Sequence, residues 1–405
     1  MLKTYKKRDL YLQKIKPFID KDLIKVIVGQ RRVGKSYLLL QIIDYLKEQN
    51  ISHKRILYVN KELYEFDNIK TYVDLMKHIK DYFKGMKSKK YVFIDEIQDI
   101  EGFEKALRDL KAKNEYDIYC SGSNAHLLSS EIATFLSGRY IEFEIYPLSY
   151  SEFLDFHNLK NNKTSFERYI KYGGLPYLIH LENNDEVVYS YLKSIYNSIL
   201  LKDIVSRHQI RNIDFLNRLV IFLAEHTGSL FSANRISDYL KSQKMSLSPS
   251  IIMNYLSYLD SAFFIFQVKR LGISGKKVFQ INEKYYFNDL GIRHSLIGYK
   301  QIDINKILEN LVYVHLRRLG YDVKIGFLKN DLEIDFVAQK NGQRTYLQVA
   351  YIMESEKTRK REFDSLLSIK DNFRKVLISM DEPAGSGYEG IEQTHVTDFL
   401  LNDAF

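Results

Sequence analysis

Two glycines four residues apart, followed by a lysine and a hydroxyl, stand at Gly29-Gln30-Arg31-Arg32-Val33-Gly34-Lys35-Ser36. That spacing suits a loop whose backbone N–H groups wrap a triphosphate, with the Lys35 ammonium on the β- and γ-phosphate oxygens and the Ser36 hydroxyl on Mg2+. Glycine is needed where any side chain would block the approach of backbone to phosphate. The flanks agree with this reading. Residues 23–28 form a short apolar run typical of a buried parallel strand, and residues 37–46 carry helical apolar spacing. The positive end of that helix would add to the loop's pull on an anion. Gly29, Gln30, Arg31, Arg32, Val33, Gly34, Lys35, Ser36 and Tyr37 are therefore the candidate nucleotide contacts, unless the match is a chance one.

The other half of a nucleotide site is an apolar strand ending in acid, and residues 91–96 (Tyr-Val-Phe-Ile-Asp-Glu) supply it. Asp95 would hold the Mg2+ shell and Glu96 would polarise an attacking water. Read alone, the pair is equally well two solvated carboxylates capping a strand. A third strand, 116–120, runs into Ser121-Gly122-Ser123-Asn124 at the carboxyl edge of the expected sheet, where ligands of doubly wound sheets bind. Ser123 or Asn124 would sense the γ-phosphate there, or else serve as a helix N-cap. Arg139, before the alternating strand 140–145, is either an arginine finger or an ordinary surface arginine.

Positioning these groups takes a parallel sheet. Apolar runs at 23–28, 56–60, 91–96 and 116–120 alternate with amphipathic stretches, which implies βαβ units. Pro147 marks the exit from this core at residues 1–148, and the pattern is then helical over 149–213, a small lid with its clearest period at 191–201. Residues 214–290 read as a winged helix. A helix at 232–240 and another at 250–259 are joined through Ser246 and Leu247, with Pro249 suited to a first helical position. Segments 263–270 and 276–281 would make the wing, gathering Lys269, Arg270, Lys276 and Lys277 at its tip. That module either contacts DNA or is a structural relay of nucleotide state. The last part, 291–405, opens with a helix around 308–316. Strands follow at 323–327, 332–338 and 345–351, with Asn341-Gly342 as a hairpin turn, then a helix at 361–369 and a strand at 376–378.

The runs 28–36, 93–98 and 121–124, continued by Ser137-Gly138-Arg139, by 147–153 and by Tyr172-Gly173-Gly174-Leu175-Pro176, resemble the AAA-family ATPases of bacteria and archaea in which a domain of unknown function follows the ATPase. The likeness spans nearly the whole chain and is most specific in its first third. It implies an α/β fold: a P-loop AAA+ core, a winged-helix middle domain and a C-terminal α/β/α domain similar to restriction endonucleases, to which the helical pattern of 149–213 adds a lid. It implies ATP with Mg2+ as cofactors. ATP is preferred to GTP on this likeness only, there being no guanine-reading Asn-Lys-x-Asp.

An active nuclease of that fold carries an acid on its first helix, an Asp at a strand end and a Glu-x-Lys on the next strand, so that carboxylates hold Mg2+ and an amine assists the attacking water. Glu309 and Asp335 take the first two places. Gln348 and Ala350 stand where Glu and Lys belong, leaving the site short of one carboxylate and its amine; Glu333 is a third acid nearby but no substitute for the lysine. The expectation is a degenerate nuclease site of Glu309, Glu333, Asp335 and Gln348, without cleavage.

With 405 residues, two or three compact units are expected. Cys120 is the single cysteine, so no internal disulfide forms. The first residues lack an apolar signal core, and no apolar stretch is long enough to span a bilayer, which predicts a cytoplasmic protein with no membrane partner. A net charge of +9 favours an anionic partner such as DNA. Lys is abundant along the whole chain, however, so a solvated basic surface serves as well. The sequence thus predicts an ATPase, with a non-hydrolysing DNA- or protein-binding scaffold and an ATP-controlled nuclease as alternatives. DNA or an unidentified protein are the candidate partners, and a homo-oligomer follows if Arg139 acts in trans.

Overall fold

In the computed structural model the described residues are 5–125, 136, 138–242, 248–273, 282–328, 332–353, 355–383, 387–403 and 405. They divide into two compact units: 1–145 with 261–263, and 146–260 with 264–405.

The first unit is built on five parallel strands in the order β2-β3-β4-β1-β5. These are β1 (Ile24–Val28), β2 (Ile56–Asn60), β3 (Lys90–Asp95), β4 (Tyr116–Gly122) and β5 (Tyr140–Glu144). Central β1 and β3 are buried along their whole length, whereas outer β2 and β5 are not, which is why the central strands read as mostly apolar runs. Helices α1 (Asp9–Ile15) and α2 (Lys35–Glu48) pack together, as do α3 (Tyr72–Tyr82) and α4 (Phe103–Ala112). The β1-to-β2 crossover runs across the sheet in one direction and the next two run back. Right-handed connections therefore place α2 on one face and α3 and α4 on the other.

A buried ion pair interrupts this core. Lys25, within fully buried β1, donates to the Asp117 carboxylate on β4 and to the Lys21 carbonyl at 3.1 Å. Asp117 also accepts from the Tyr119 hydroxyl at 2.7 Å and from the Asp20 N–H at 2.9 Å. Desolvation lowers the Lys25 pKa, opposed by Asp117. Cys120, on the same strand, is buried and its thiol is pushed up to about 12 by burial, so it is a packing residue.

The second unit begins with helices α5 (Tyr150–His157), α6 (Lys163–Tyr172) and α7 (Asp185–Ser198), the last continuing as π-type turns over Ile199–Ser206. Helices α8 (Ile213–Glu225), α9 (Ala233–Ser242) and α10 (Pro249–Ser261) follow, with Pro249 at a helix start as expected. Strand β6 (Ile265–Val268) pairs antiparallel with β8 (Lys284–Phe287). The expected second wing strand at 276–281, with Lys276 and Lys277, lies outside the described residues, as do Ser246 and Leu247. Arg270 belongs instead to β7 (Arg270–Gly272), which leaves the hairpin to pair with a strand of the tail. Its guanidinium lies over the Phe327 ring at 4.0 Å rather than at a wing tip.

After α11 (Leu290–Ile297), α12 (Ile304–Arg318) leads into β9 (Asp322–Phe327), β10 (Glu333–Lys340), β11 (Gln343–Val349), α13 (Glu356–Leu367), β12 (Arg374–Ser379), β13 (Glu392–His395) and α14 (Val396–Leu401). The sheet order is β13-β12-β11-β10-β9-β7. Asn341 and Gly342 both have positive φ between antiparallel β10 and β11, the conformation a tight two-residue hairpin requires. Near the unit's start, Gly173 and Gly174 receive the buried Asp289, which accepts from the N–H groups of Gly174 at 2.8 Å and Ile292 at 3.0 Å. A Cβ at Gly173 would lie 2.4 Å from that carboxylate, so the glycine pair is a packing requirement here. Among the described residues no helix is long and apolar enough to cross a membrane.

Asp117→Ala is expected to cost the first unit about 3–5 kcal/mol by leaving the Lys25 ammonium buried without a carboxylate, whereas Lys25→Met with Asp117→Leu together costs far less. Urea unfolding monitored on single and double variants checks this; equal costs for both would show that the pair is not coupled.

Candidate functional site

The carboxyl ends of the parallel strands come level at one edge. Val28 pairs with Gly122, Cys120 with Ile94, and Asn60 with Asp95, so the phosphate-loop residues, the Asp95-Glu96 pair and the 121–124 turn emerge side by side. Gly29 leaves β1 with φ +148, and a Cβ there would stand 2.2 Å from the Ile145 carbonyl oxygen just past β5. Gly34 precedes α2 with φ +99 and has no side chain to cap the first-turn N–H groups, which stay available to an anion. Arg32 is exposed at positive φ, and Arg31 pairs with Glu62 at 3.7 Å. Val33 is buried, with its carbonyl accepting from the Arg8 guanidinium at 2.9 Å. Ser36 is half-buried on the first turn, and exposed Tyr37 meets the Tyr5 ring edge-on.

Lys35 is buried, and its ammonium donates to the carbonyls of Gly29 at 3.0 Å and Gln30 at 3.1 Å while lying 3.9 Å from a Glu96 oxygen. Glu96 holds a left-handed backbone conformation, φ +54, which swings its side chain away from the strand alternation and back toward the loop. Gln98 donates to its other carboxylate oxygen.

Two groups hold the acids in place, Ser121 of the turn already noted and Tyr58, which the sequence did not single out. The Ser121 hydroxyl donates to Asp95 and accepts from the Glu96 N–H at 3.1 Å, and the Tyr58 hydroxyl donates to the second Asp95 oxygen at 2.9 Å. Burial, then the Asp95 carboxylate, raises the Tyr58 phenol above its usual pKa, so it remains a donor. The signal for Ser121 was its register beside Asp95; nothing in residues 56–60 marks Tyr58. Ser123 and Asn124 are wholly buried just beyond Gly122, beside the loop.

Arg139 is not brought here. It is exposed at the amino end of β5, its carbonyl accepting from Ile24 N–H at the start of β1. The loop lies at the other end of the same strand pair, five residues or about 16 Å away. Within one chain Arg139 therefore does not reach the loop, which corrects the arginine-finger reading for the cis case.

The residues present fit a magnesium-bound triphosphate. Mg2+ keeps most of its waters and takes one or two protein oxygens together with phosphates. Ser36 and Asp95 would provide those oxygens. A larger all-protein cage is absent, since among the described residues no three His, Cys, Asp or Glu side chains are grouped to hold a metal.

In the second unit the carboxylates expected in the tail do converge, but on a lysine. The ammonium of buried Lys284, on β8, lies 2.6 Å from Glu333, 3.1 Å from Glu309 and 4.0 Å from Asp335. The Tyr286 hydroxyl adds a bond of 3.0 Å to Glu309. Burial opposes the Lys284 charge, yet Glu309, Asp335 and Glu333 outweigh it and raise its pKa. Burial, reinforced by Glu309, raises Asp335 well above the usual carboxylate range, and Asp335 accepts from the Val349 N–H at 2.8 Å. Gln348 accepts from the Asp335 N–H at 3.4 Å and donates to Glu362 at 3.1 Å, while Ala350 is packed in the apolar cluster beneath α13. The sequence pointed to a missing amine; Lys284 supplies one from a different element, and the only hint was a lysine inside the otherwise buried aromatic run Lys284-Tyr285-Tyr286-Phe287.

Residues 21–154 match the AAA domain family, and residues 163–303 match a domain of unknown function, DUF8612, which covers most of the helical stretch and the middle module rather than the tail. An uncharacterised protein of Haemophilus influenzae is 39% identical over 405 residues, spanning 99% of this chain and 100% of its own length. The uncharacterised protein MJ1544 of Methanocaldococcus jannaschii is 32% identical over 364 residues, 86% of this chain and 79% of its own. The Walker-type ATPase PABY2304 of Pyrococcus abyssi, at 15% identity, overlays with a TM-score of 0.50 across 73% of this chain and 96% of its own, a likeness of fold. With the loop, the paired acids and the parallel sheet in place, the chain belongs to the family of these Haemophilus and Methanocaldococcus proteins, its first unit an AAA domain on a P-loop ATPase fold.

Proposed function

We propose that the protein binds ATP with Mg2+ and hydrolyses it slowly, passing its nucleotide state to the second unit. The observation that carries this is the Lys35 ammonium, buried between loop carbonyls at 3.0 and 3.1 Å and 3.9 Å from Glu96. Carbonyl oxygens are weaker partners for an ammonium than phosphate oxygens, so a triphosphate draws Lys35 forward. Ser36 and Asp95 would hold the metal, which neutralises developing charge on the phosphates. Glu96, released from Lys35 in the same exchange, takes the proton of the attacking water. Ser123 and Asn124, buried beside the loop, report the γ-phosphate. Arg139 would serve catalysis only from a neighbouring copy. The helix pair α9 and α10 with its hairpin is read as a winged helix that relays nucleotide state rather than reads DNA. The stacking of Arg270 on Phe327 supports this by removing one basic group from the wing.

The tail is read as a nuclease-like α/β/α domain that does not cleave. Here the supporting observation is Lys284, whose charge already satisfies the carboxylates that would hold a divalent ion. A metal would have to displace a buried ammonium and meet its repulsion.

Lys35→Ala should weaken Mg-ATP binding by at least about 100-fold in calorimetry, whereas Glu96→Gln keeps binding and loses at least about 100-fold in phosphate release; normal turnover by either variant contradicts the assignment. Incubated with plasmid and Mg2+ or Mn2+, the wild-type protein is expected to leave the DNA intact, and nicking abolished by Asp335→Ala would overturn the reading of the tail. Lys284→Ala should lower the melting midpoint of the second unit, because it strands three carboxylates without their cation.

A further inference from the structure

The two oxygens of the Glu96 carboxylate face different partners. Oε1 lies 3.9 Å from the Lys35 ammonium, and Oε2 accepts from the side-chain amide of Gln98. The backbone makes this second contact possible. Residues two apart on an extended strand stand about 7 Å from one another. Here the left-handed turn at Glu96, φ +54, leads directly into a tight turn over Ile97–Asp99, closed by the Asp99 N–H on the Glu96 carbonyl at 3.1 Å. Buried Ile97 anchors that turn, and Ser121 holds the Glu96 N–H at 3.1 Å. Left-handed backbone at a residue other than glycine costs of order 1–3 kcal/mol, and what it achieves here is to bring the Gln98 amide onto the carboxylate.

That contact is the whole of Gln98's polar role among the described residues. Its Nε2 donates to Glu96, while its Oε1 is buried and meets no donor. An acceptor left so costs about 1–3 kcal/mol, so the placement of this side chain does not serve stability. Reversing the amide would set its carbonyl oxygen against the carboxylate, and charge therefore fixes which end faces Glu96.

We propose that Gln98 is a positioning residue that decides which oxygen of Glu96 receives the proton of the attacking water, an inference that rests on the ATPase reading. Without nucleotide both carboxylate oxygens are engaged. A triphosphate that draws Lys35 forward releases Oε1 alone, because Gln98 keeps its hold on Oε2. Oε1 then takes the proton as the water oxygen bonds to the γ-phosphorus, the bond from that phosphorus to the bridging oxygen breaks, and ADP leaves with the electron pair. Deprived of Gln98, the carboxylate turns about its own side-chain bonds and is aimed at the water for a smaller part of the time.

Gln98→Met and Gln98→Leu keep most of the bulk and remove the donor. Steady-state phosphate release, calorimetric Mg-ATP affinity and nucleotide-free melting are measured for each, alone and combined with Glu96→Gln, beside the wild type and Lys35→Ala. The expected result for the single variants is a kcat lowered about 10- to 100-fold, a Kd within about threefold of wild type, and a melting midpoint equal to or above wild type. Added to Glu96→Gln, the same substitutions should change the residual turnover by less than about twofold, since no base is left to aim. A kcat within twofold of wild type, or above it, in either single variant overturns the role. So does a full further loss on top of Glu96→Gln, or a midpoint that collapses in both variants, each of which would make Gln98 a packing residue. If the wild type releases no phosphate, or no more than Lys35→Ala, the ATPase reading itself falls and this role with it; if the wild type turns over and the Gln98 variants match it, only this role falls.

Discussion

A buried strand must become a helix within six residues while keeping its backbone N–H groups open to an anion, and the rest of the first unit is arranged around that turn. The constraint is sharpest at Gly29, where φ is +148 and a side chain would strike the Ile145 carbonyl oxygen at 2.2 Å. Because β1 is flanked by β4 and β5, the turn is walled on both sides by neighbouring strand ends. One wall delivers Ser121, Ser123 and Asn124. Beyond it β3 delivers Asp95 and Glu96. The parallel sheet is thus a device for bringing distant residues to one edge at fixed spacing, and the loop is the reason that edge matters.

Two lysines show how differently the same group is used. Lys35 is buried with loop carbonyls at 3.0 and 3.1 Å and a Glu96 oxygen at 3.9 Å, partners that a stronger anion would displace. Lys284 is buried with carboxylates at 2.6 and 3.1 Å and a third at 4.0 Å, and its pKa is raised accordingly. Removing that ammonium means exposing several negative charges to one another in a dry interior, which is costly. The first lysine is poised to change partners. The second ties the β6–β8 hairpin to the sheet of the tail, so a constellation resembling a metal centre acts as an internal ionic joint.

Support for the acids follows the same logic at finer scale. Ser121 spends its hydroxyl twice, donating to Asp95 and accepting from the Glu96 N–H, so that neither acid is aimed by its own backbone alone. Tyr58 completes the set from β2. A carboxylate oriented this way would lose little freedom on taking up a metal, which is what preorganisation means for a site of this type.

Most of the loop's geometry and of the strands around it was legible in residues 23–36 and 91–96, because each signal there is local: glycine at positive φ, apolar strands of near-uniform burial, acids at a strand end. The hairpin at Asn341-Gly342 and the helix start at Pro249 were legible for the same reason, since turn and cap chemistry act over a few residues. What the sequence could not carry was anything decided by pairing across it. Arg139 looked adjacent to the site until parallel pairing with Ile24 put it at the far edge. The partner of the 265–268 strand proved to be Lys284–Phe287, because the burial of Tyr286 and Phe287 against the core outweighed nearness along the chain. Tyr58 has no local mark, and Ser121 and Lys284 only faint ones, since a hydroxyl or an ammonium gains its role only from the charge that folding sets beside it. The chain by itself determined which chemistry is available and on which elements; tertiary structure decided which groups meet, because electrostatics and hydrogen bonding act over ångströms of space and not along the sequence.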